Sequence, residues 1–325
     1  MSNIEDYKWK VCVKCLTFNH APYIVNAMNG FVMQQTEFPF VCTIVDDCST
    51  DGEQEIIKQY IRENFDLEDL SIARCEETPA YIMQFARHKK NLQCYFAVYY
   101  LKYNHYQKKQ PKRIYFNNWN KNSTYTAMCE GDDYWTDASK LQIQVDFMES
   151  HPNHTMCIHA YKRELYIGNE VSSSDIYKYP HDVEVIPDKD VLNGTGMFGA
   201  TASILYRSCA EKNYPKWALR APVGDKPLKL VMFARGHIGY INRNMCVYKV
   251  GVGGSWTQRM KTDRKYRHET RRRMTQMSWD FDKWTEGKYH KLIANGEREY
   301  KYSCFVADMK QPLKVIIRMI KRFFR

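Results

Sequence analysis

The chain has 325 residues, 44% of them apolar and 26% charged, so it can bury a sizeable core and is not a disordered segment. No stretch approaches the ~18 to 20 apolar residues of a membrane span. The net charge of +11 sits near the C-terminal end: residues 259–273 hold eight Lys/Arg against Asp263 and Glu269, residues 310–325 hold six and no acid, and residues 1–258 are neutral overall. That distribution argues against a nucleic-acid groove through the body and for an attachment device at the basic end.

Residues 1–20 mix lysines and acids where a signal peptide needs an apolar core, so the expected compartment is the cytoplasm. Eleven scattered cysteines fit buried small hydrophobes in a reducing environment. Cys12 and Cys15 spell C-x-x-C, but their odd offset within a strand-like run puts the thiols on opposite faces.

In chain order, residues 11–17 (VCVKCLT) and 41–46 (VCTIVD) read as strands. Between them Ile24, Ala27, Met28, Phe31 and Val32 recur at helical spacing, and Thr50-Asp51-Gly52-Glu53 fits a capping box ahead of a helix carrying Ile56, Ile57, Tyr60 and Ile61. This strand–helix alternation predicts a parallel sheet with helices on its faces. Leu92, Tyr95, Phe96, Tyr99, Tyr100 and Tyr103 follow an i, i+3, i+4 pattern, expected as packing surface. Strands are expected at 124–129, 156–160 and 200–206, helices at 140–150 and about 227–234, and a strand pair at 238–241 and 247–250.

The densest acidic site, Glu130-Gly131-Asp132-Asp133, directly follows a predicted strand. Three carboxylates there suit a hard divalent cation, Mn²⁺ or Mg²⁺, that also takes substrate phosphates. Asp46-Asp47 and Thr17-Phe18-Asn19-His20 end the first two strands. In an open α/β sheet these ends face one crevice, where an aromatic suits a base, an acid an imide N–H or ribose, and a metal a diphosphate. G-x-x-x-x-G-K-S/T is absent, which disfavours a P-loop site; Gly194–Gly199 spells G-x-G-x-x-G, but ahead of an expected strand and not after one, as a dinucleotide site requires.

Thr17–His20, Asp46–Gly52 and Cys129–Asp137 together resemble family 2 glycosyltransferases of the GT-A fold. Ala221–Leu228, Gly239-Tyr240, Tyr248 and Gly253–Trp256 are similar to later signatures of a bacterial subgroup associated with cell-surface polysaccharides. The resemblance covers roughly residues 11–256. It implies an α/β GT-A domain over 1–258, with a nucleotide-binding half to about 128 and an acceptor half over 129–258; the basic composition beyond it reads as a helical extension over 259–325. It also implies that Phe18, with Thr17 and Asn19, holds the base, that Asp46 or Asp47 binds base or ribose, and that Glu130 and Asp132 bind the donor. Asp132 and Asp133 would hold the metal, and Asp225 would be the catalytic base. Two departures stand out: Lys226 where the subgroup usually has Trp, and Gly251 where a His is common.

The implied reaction is inverting transfer of a sugar from a nucleoside diphosphate sugar, UDP-sugar favoured, to a saccharide or lipid-linked saccharide hydroxyl. The alternative is a non-catalytic sugar-nucleotide or polysaccharide-binding protein. At the basic end, Leu313, Ile316, Ile317, Ile320, Phe323 and Phe324 alternate at helical spacing with Lys314, Arg318, Lys321, Arg322 and Arg325. That pattern predicts docking on the inner, anionic membrane surface. The competing use is packing on the body or on a second copy in a homodimer.

Overall fold

The computed structural model describes residues 8–167, 170–180, 183–193, 199–252 and 256–323, with side chains through residue 306 apart from Asn193. β1 (Trp9–Thr17), α1 (Ile24–Val32), β2 (Phe40–Asp46) and α2 (Glu53–Asn64) follow the expected alternation. β2 is buried along its whole length. Such a strand is covered on both faces, as parallel strands are. Cys15 packs in one core with Phe31 and Ile44, whereas Cys12 packs in another with Trp9 and Val41, so the two thiols do lie on opposite faces.

α2 departs from the capping-box expectation. Its N-cap is Gly52, at φ 92°, with no side-chain cap. The Glu53 carboxylate turns to the β1–α1 loop instead, accepting from the Thr17 hydroxyl, from His20 N at 2.9 Å and from Ser49 Oγ at 2.9 Å.

After β3 (Phe65–Asp66) and the hairpin of β4 (Ala73–Glu77) and β5 (Tyr81–His88), the aromatic run with helical spacing is a strand, β6 (Cys94–Leu101). It lies between β2 and β5. Tyr95 meets Trp9 and Phe85 on one face, and Phe96 meets Phe31 and Phe65 on the other. With both faces apolar, the two-residue period vanishes from the sequence and a 3.6 period appears by coincidence, while the Tyr/Phe/Val content favours a strand.

α3 (Ile114–Lys121) leads into β7 (Ser123–Met128), parallel to β1 on its other side. β7, β1, β2 and β6 thus form a parallel centre with their carboxyl ends along one edge. β8 (Tyr134–Trp135), α4 (Lys140–Ser150), β9 (His154–His159), β10 (Tyr161–Ile167), β11 (Glu170–Tyr177) and α5 (Asp188–Asn193) follow. The strand expected at 200–206 is shorter: Thr201–Ser203 form a 3₁₀ turn, and only β12 (Leu205–Arg207) pairs, between β7 and β9.

α6 (Lys216–Leu219) and α7 (Asp225–Arg235) precede β13 (His237–Ile241) and β14 (Cys246–Val250). These last two strands were expected as a pair and are not one. β13 extends the ten-stranded sheet beside β9, whereas β14 joins a four-stranded sheet between β10 and β8. The chain changes sheets here, and that change brings Tyr248 and Lys249 over the acidic turn.

The basic extension comprises α8 (Trp256–Thr262), α9 (Arg264–Trp284) and α10 (His290–Phe323). It shares a core with the body: Met277, Phe281 and Ile293 are buried with Trp217, Leu228 and Phe233. Burial of Met277 and Phe281 contributes roughly 3–6 kcal/mol, enough to seat the helix pair firmly. No helix among the described residues is long and apolar enough to cross a membrane. Phe324 lies outside the described residues, and so do the side chains of Lys314, Arg318, Lys321, Arg322 and Phe323.

Candidate active site

The site is assembled at the carboxyl edge of the parallel strands. Asn19 and Cys48 both take left-handed backbone, at φ 56° and 61°. The strain of those two turns is offset by cross-links: Asn19 N donates to Ser49 Oγ at 2.9 Å, and Asn19 Oδ1 accepts from Thr50 N at 2.8 Å. Asn19 therefore ties the β1 and β2 loops together. Phe18 is left 39% exposed at the lip of a cavity.

The acidic turn is laid directly on the end of β1. Cys129 N donates to Lys14 O at 3.1 Å and Gly131 N to Leu16 O at 3.0 Å. A Cβ at Gly131 would overlap the Thr17 hydroxyl and lie 2.6 Å from Thr17 Cβ. Only glycine allows this approach. Gly131→Ala is expected to lower stability by about 1–3 kcal/mol in chemical denaturation and to weaken any ligand held by the neighbouring carboxylates.

Carboxylate oxygens of Glu130, Asp132 and Asp133 lie within 4.8 Å of one another. Asp133 is buried; its Oδ1 accepts from Lys249 N at 2.9 Å and its Oδ2 has no partner. Burial first, then Asp132 and Glu130, push the Asp133 carboxyl well above the usual range. Desolvation within the cleft, then Asp132 and Asp225, raise Glu130 too, although solvent reaches it through the cavity and moderates the effect. Three carboxylates this close cannot all ionise without a cation. An orphaned buried oxygen among hard donors fits a divalent ion.

The cavity, about 290 Å³, is lined by Thr17, Phe18, His20, Glu130, Asp132 and Lys249, with Lys112, Tyr248, Trp256 and Thr257 completing the wall. Lys249 is itself buried, its ammonium 4.5 Å from the Tyr23 ring centre and 4.8 Å from that of Tyr134. Burial lowers its pKa, partly offset by Asp133 and Asp132.

Asp225 is the first residue of α7. Burial works against its charge, but Lys229 Nζ, 3.3 Å away, and the N–H groups of Lys226 and Asp225 itself hold its carboxyl below the usual range. Its charge raises the pKa of both Glu130 and Tyr248.

Thr17, Phe18, Glu130 and Asp132 thus line one cavity, with Asp133 behind them, whereas Asn19, Asp46, Asp47 and Asp225 are not among its lining residues. Asp47 is occupied elsewhere: it accepts from His105 N at 2.6 Å, Tyr106 N at 3.1 Å and Lys112 Nζ at 2.7 Å, pinning the segment that follows β6. Asp46 accepts from Ser49 N and Gln54 Nε2 through Oδ1, while Oδ2 is buried without a partner and burial raises its pKa. Of the two, Asp46 keeps the spare acceptor.

The two departures also have structural accounts. Gly251 sits at φ 88°, and a Cβ there would lie 2.7 Å from Tyr166 O, so this backbone has no room for His. Burial lowers the pKa of Lys226, partly offset by the charges of Glu297 in α10 and Asp225. Sequence reasoning missed Glu53, Lys112 and Lys249. Each is placed by pairing between distant segments, and only a buried acid at a helix start gave any signal.

No known protein-family profile matches the chain. An uncharacterized protein of Mycobacterium tuberculosis and one of Mycobacterium bovis are each 28% identical over 260 residues, 79% of this chain and 63% of theirs. The chain thus spans less than two thirds of the length of these curated relatives. Among solved structures, S. aureus TarS 1–349 in complex with UDP-GlcNAc aligns with a TM-score of 0.51 at 16% identity, covering 82% of this chain and 65% of that one. Likeness at that identity is one of fold. The mixed α/β architecture with a mostly parallel central sheet is shared with that structure.

Proposed function

We propose that this protein is an inverting, metal-dependent glycosyltransferase of the family 2 type, moving a sugar from a nucleoside diphosphate sugar to an acceptor hydroxyl in cell-surface polysaccharide or glycolipid synthesis. The observation that carries the reading is the cluster of Glu130, Asp132 and Asp133, two of which line a cavity together with Thr17 and Phe18. That TarS was solved with UDP-GlcNAc favours a UDP-sugar as donor.

In this reading Phe18 stacks on the base and Thr17 and Asn19 shape its seat, while Asp46 would accept a hydrogen bond from the base or ribose through its unpartnered oxygen. Lys112 and Lys249 on the cavity wall attract the diphosphate. Asp132 and Asp133, with Glu130, would hold Mn²⁺ or Mg²⁺, which when bound neutralises charge growing on the departing diphosphate. Asp225 takes the acceptor hydroxyl proton as the new C–O bond forms, on the face opposite the breaking bond to the diphosphate, so the anomeric carbon inverts. The basic extension docks on the inner, anionic face of the membrane through the cationic and apolar positions at 313–325, near a lipid-linked acceptor.

A panel of nucleotide sugars with Mn²⁺ and saccharide acceptors tests this. Nucleoside diphosphate release above the protein-free control, strongest with one donor, is the expected result. Tight UDP binding with no turnover of any donor would favour the non-catalytic alternative, for which Lys226 and Gly251 are the best support.

A further inference from the structure

The first half of α9 is strongly cationic, with Glu269 as its one acid between Arg264 and Arg273. α10 packs beside it, and between the two lies a groove of about 410 Å³. His268, Arg271 and Arg272 line it from one helix and Tyr300 and Lys301 from the other, with no Asp or Glu among its described lining residues. Arg272 and Lys301 bring positive charge to one concave surface from both helices, and an anion seated there would be attracted by both. Next to the groove on α10, Tyr302 and Phe305 are 70% and 63% exposed, three residues apart and hence on one side of the helix.

A soluble polyanion would be held by the cations alone and leave the exposed Phe305 ring in water. A bilayer satisfies both features, because phosphates lie at headgroup depth and aromatic rings favour the boundary just beneath. We propose that the α9–α10 groove is a binding site for the phosphate of an anionic lipid headgroup, with Tyr302 and Phe305 seated at the boundary between headgroups and acyl chains. This rests on the membrane-docking part of the proposed function. It assigns the selectivity to a different set of residues from the 313–325 tail.

The test is binding of the full-length chain to phosphatidylcholine vesicles with and without phosphatidylglycerol, with inorganic polyphosphate as soluble competitor. Each surface cation near anionic lipid is worth about fivefold, so Arg272→Gln/Lys301→Gln is expected to weaken binding to the anionic vesicles roughly 25-fold, with melting and donor turnover unchanged. Arg272→Gln alone, expected at about fivefold, serves if the double variant melts early. Tyr302→Ser/Phe305→Ser is expected to weaken vesicle binding while leaving polyphosphate binding intact. Groove variants that bind vesicles like wild type overturn the proposal. If they do so while Lys314, Arg318, Lys321 and Arg322 changed together to Gln abolish binding, membrane docking stands and the groove site falls. Wild-type protein that ignores anionic vesicles sinks both. Polyphosphate binding as tight as vesicle binding, with the aromatic variant unaffected on vesicles, would mean a soluble polyanion site instead.

Discussion

Asp225→Asn is expected to fold, to bind donor about as wild type does, and to lose turnover by ~10²- to 10⁴-fold. The carboxylate sits at the first turn of α7, where the helix N–H groups and Lys229 keep it ionised. It can therefore accept a proton at neutral pH without first losing one. Asparagine keeps the shape and can still meet the helix amides, but it cannot take the proton. The lost ion pair with Lys229 is more than a third exposed on the Asp225 side, so its removal should change stability little. Lys229 also keeps its bond to Gly199 O at 2.8 Å. A fall in kcat with donor affinity retained marks a role in the transition state. Near-full transfer by the variant would place the base elsewhere, and early melting would make Asp225 a structural cap.

EDTA is expected to abolish donor turnover, and Asp132→Ala to weaken donor binding roughly ten- to a hundredfold, the scale of a lost contact to a charged group. Asp132 is the informative member of the cluster. Asp133 also anchors the backbone of Lys249, so its removal confuses folding with binding. Glu130 keeps solvent access and can be partly replaced by water. Asp132 lies on the cavity wall, with His20 Nε2 at 3.9 Å. Restored turnover on adding Mn²⁺ or Mg²⁺ back would show that chelation removed an ion and not the fold. Full activity in EDTA would refute metal dependence.

The parallel centre was legible because it is built locally: residues 11–17 and 41–46 are short β-branched runs, each closing on polar residues at the crevice. The acidic turn was legible for the same reason, since its three carboxylates are contiguous. What stayed hidden depends on pairing at a distance. β6 looked helical because both its faces are apolar, and what decides the matter is its pairing with β5 and with β2, the latter on the far side of α2. Asp46 and Asp47 are neighbours with opposite fates, and only the fold of residues 105–112 reveals that Asp47 is already spoken for. Lys249 reads as one lysine in a strand until the change of sheet after β13 lays it between Tyr23 and Tyr134. Gly251 stands where a His is common, and the backbone at Tyr166 leaves no space for one.

The most direct measurement is a crystal structure of the full-length protein with UDP and Mn²⁺. The account predicts the base against Phe18, the diphosphate at Glu130, Asp132 and Asp133 with the ion between, and Asp225 facing the empty sugar side. Nucleotide bound away from Phe18 and the acidic turn, or a saturated crystal with that cavity empty, would contradict it.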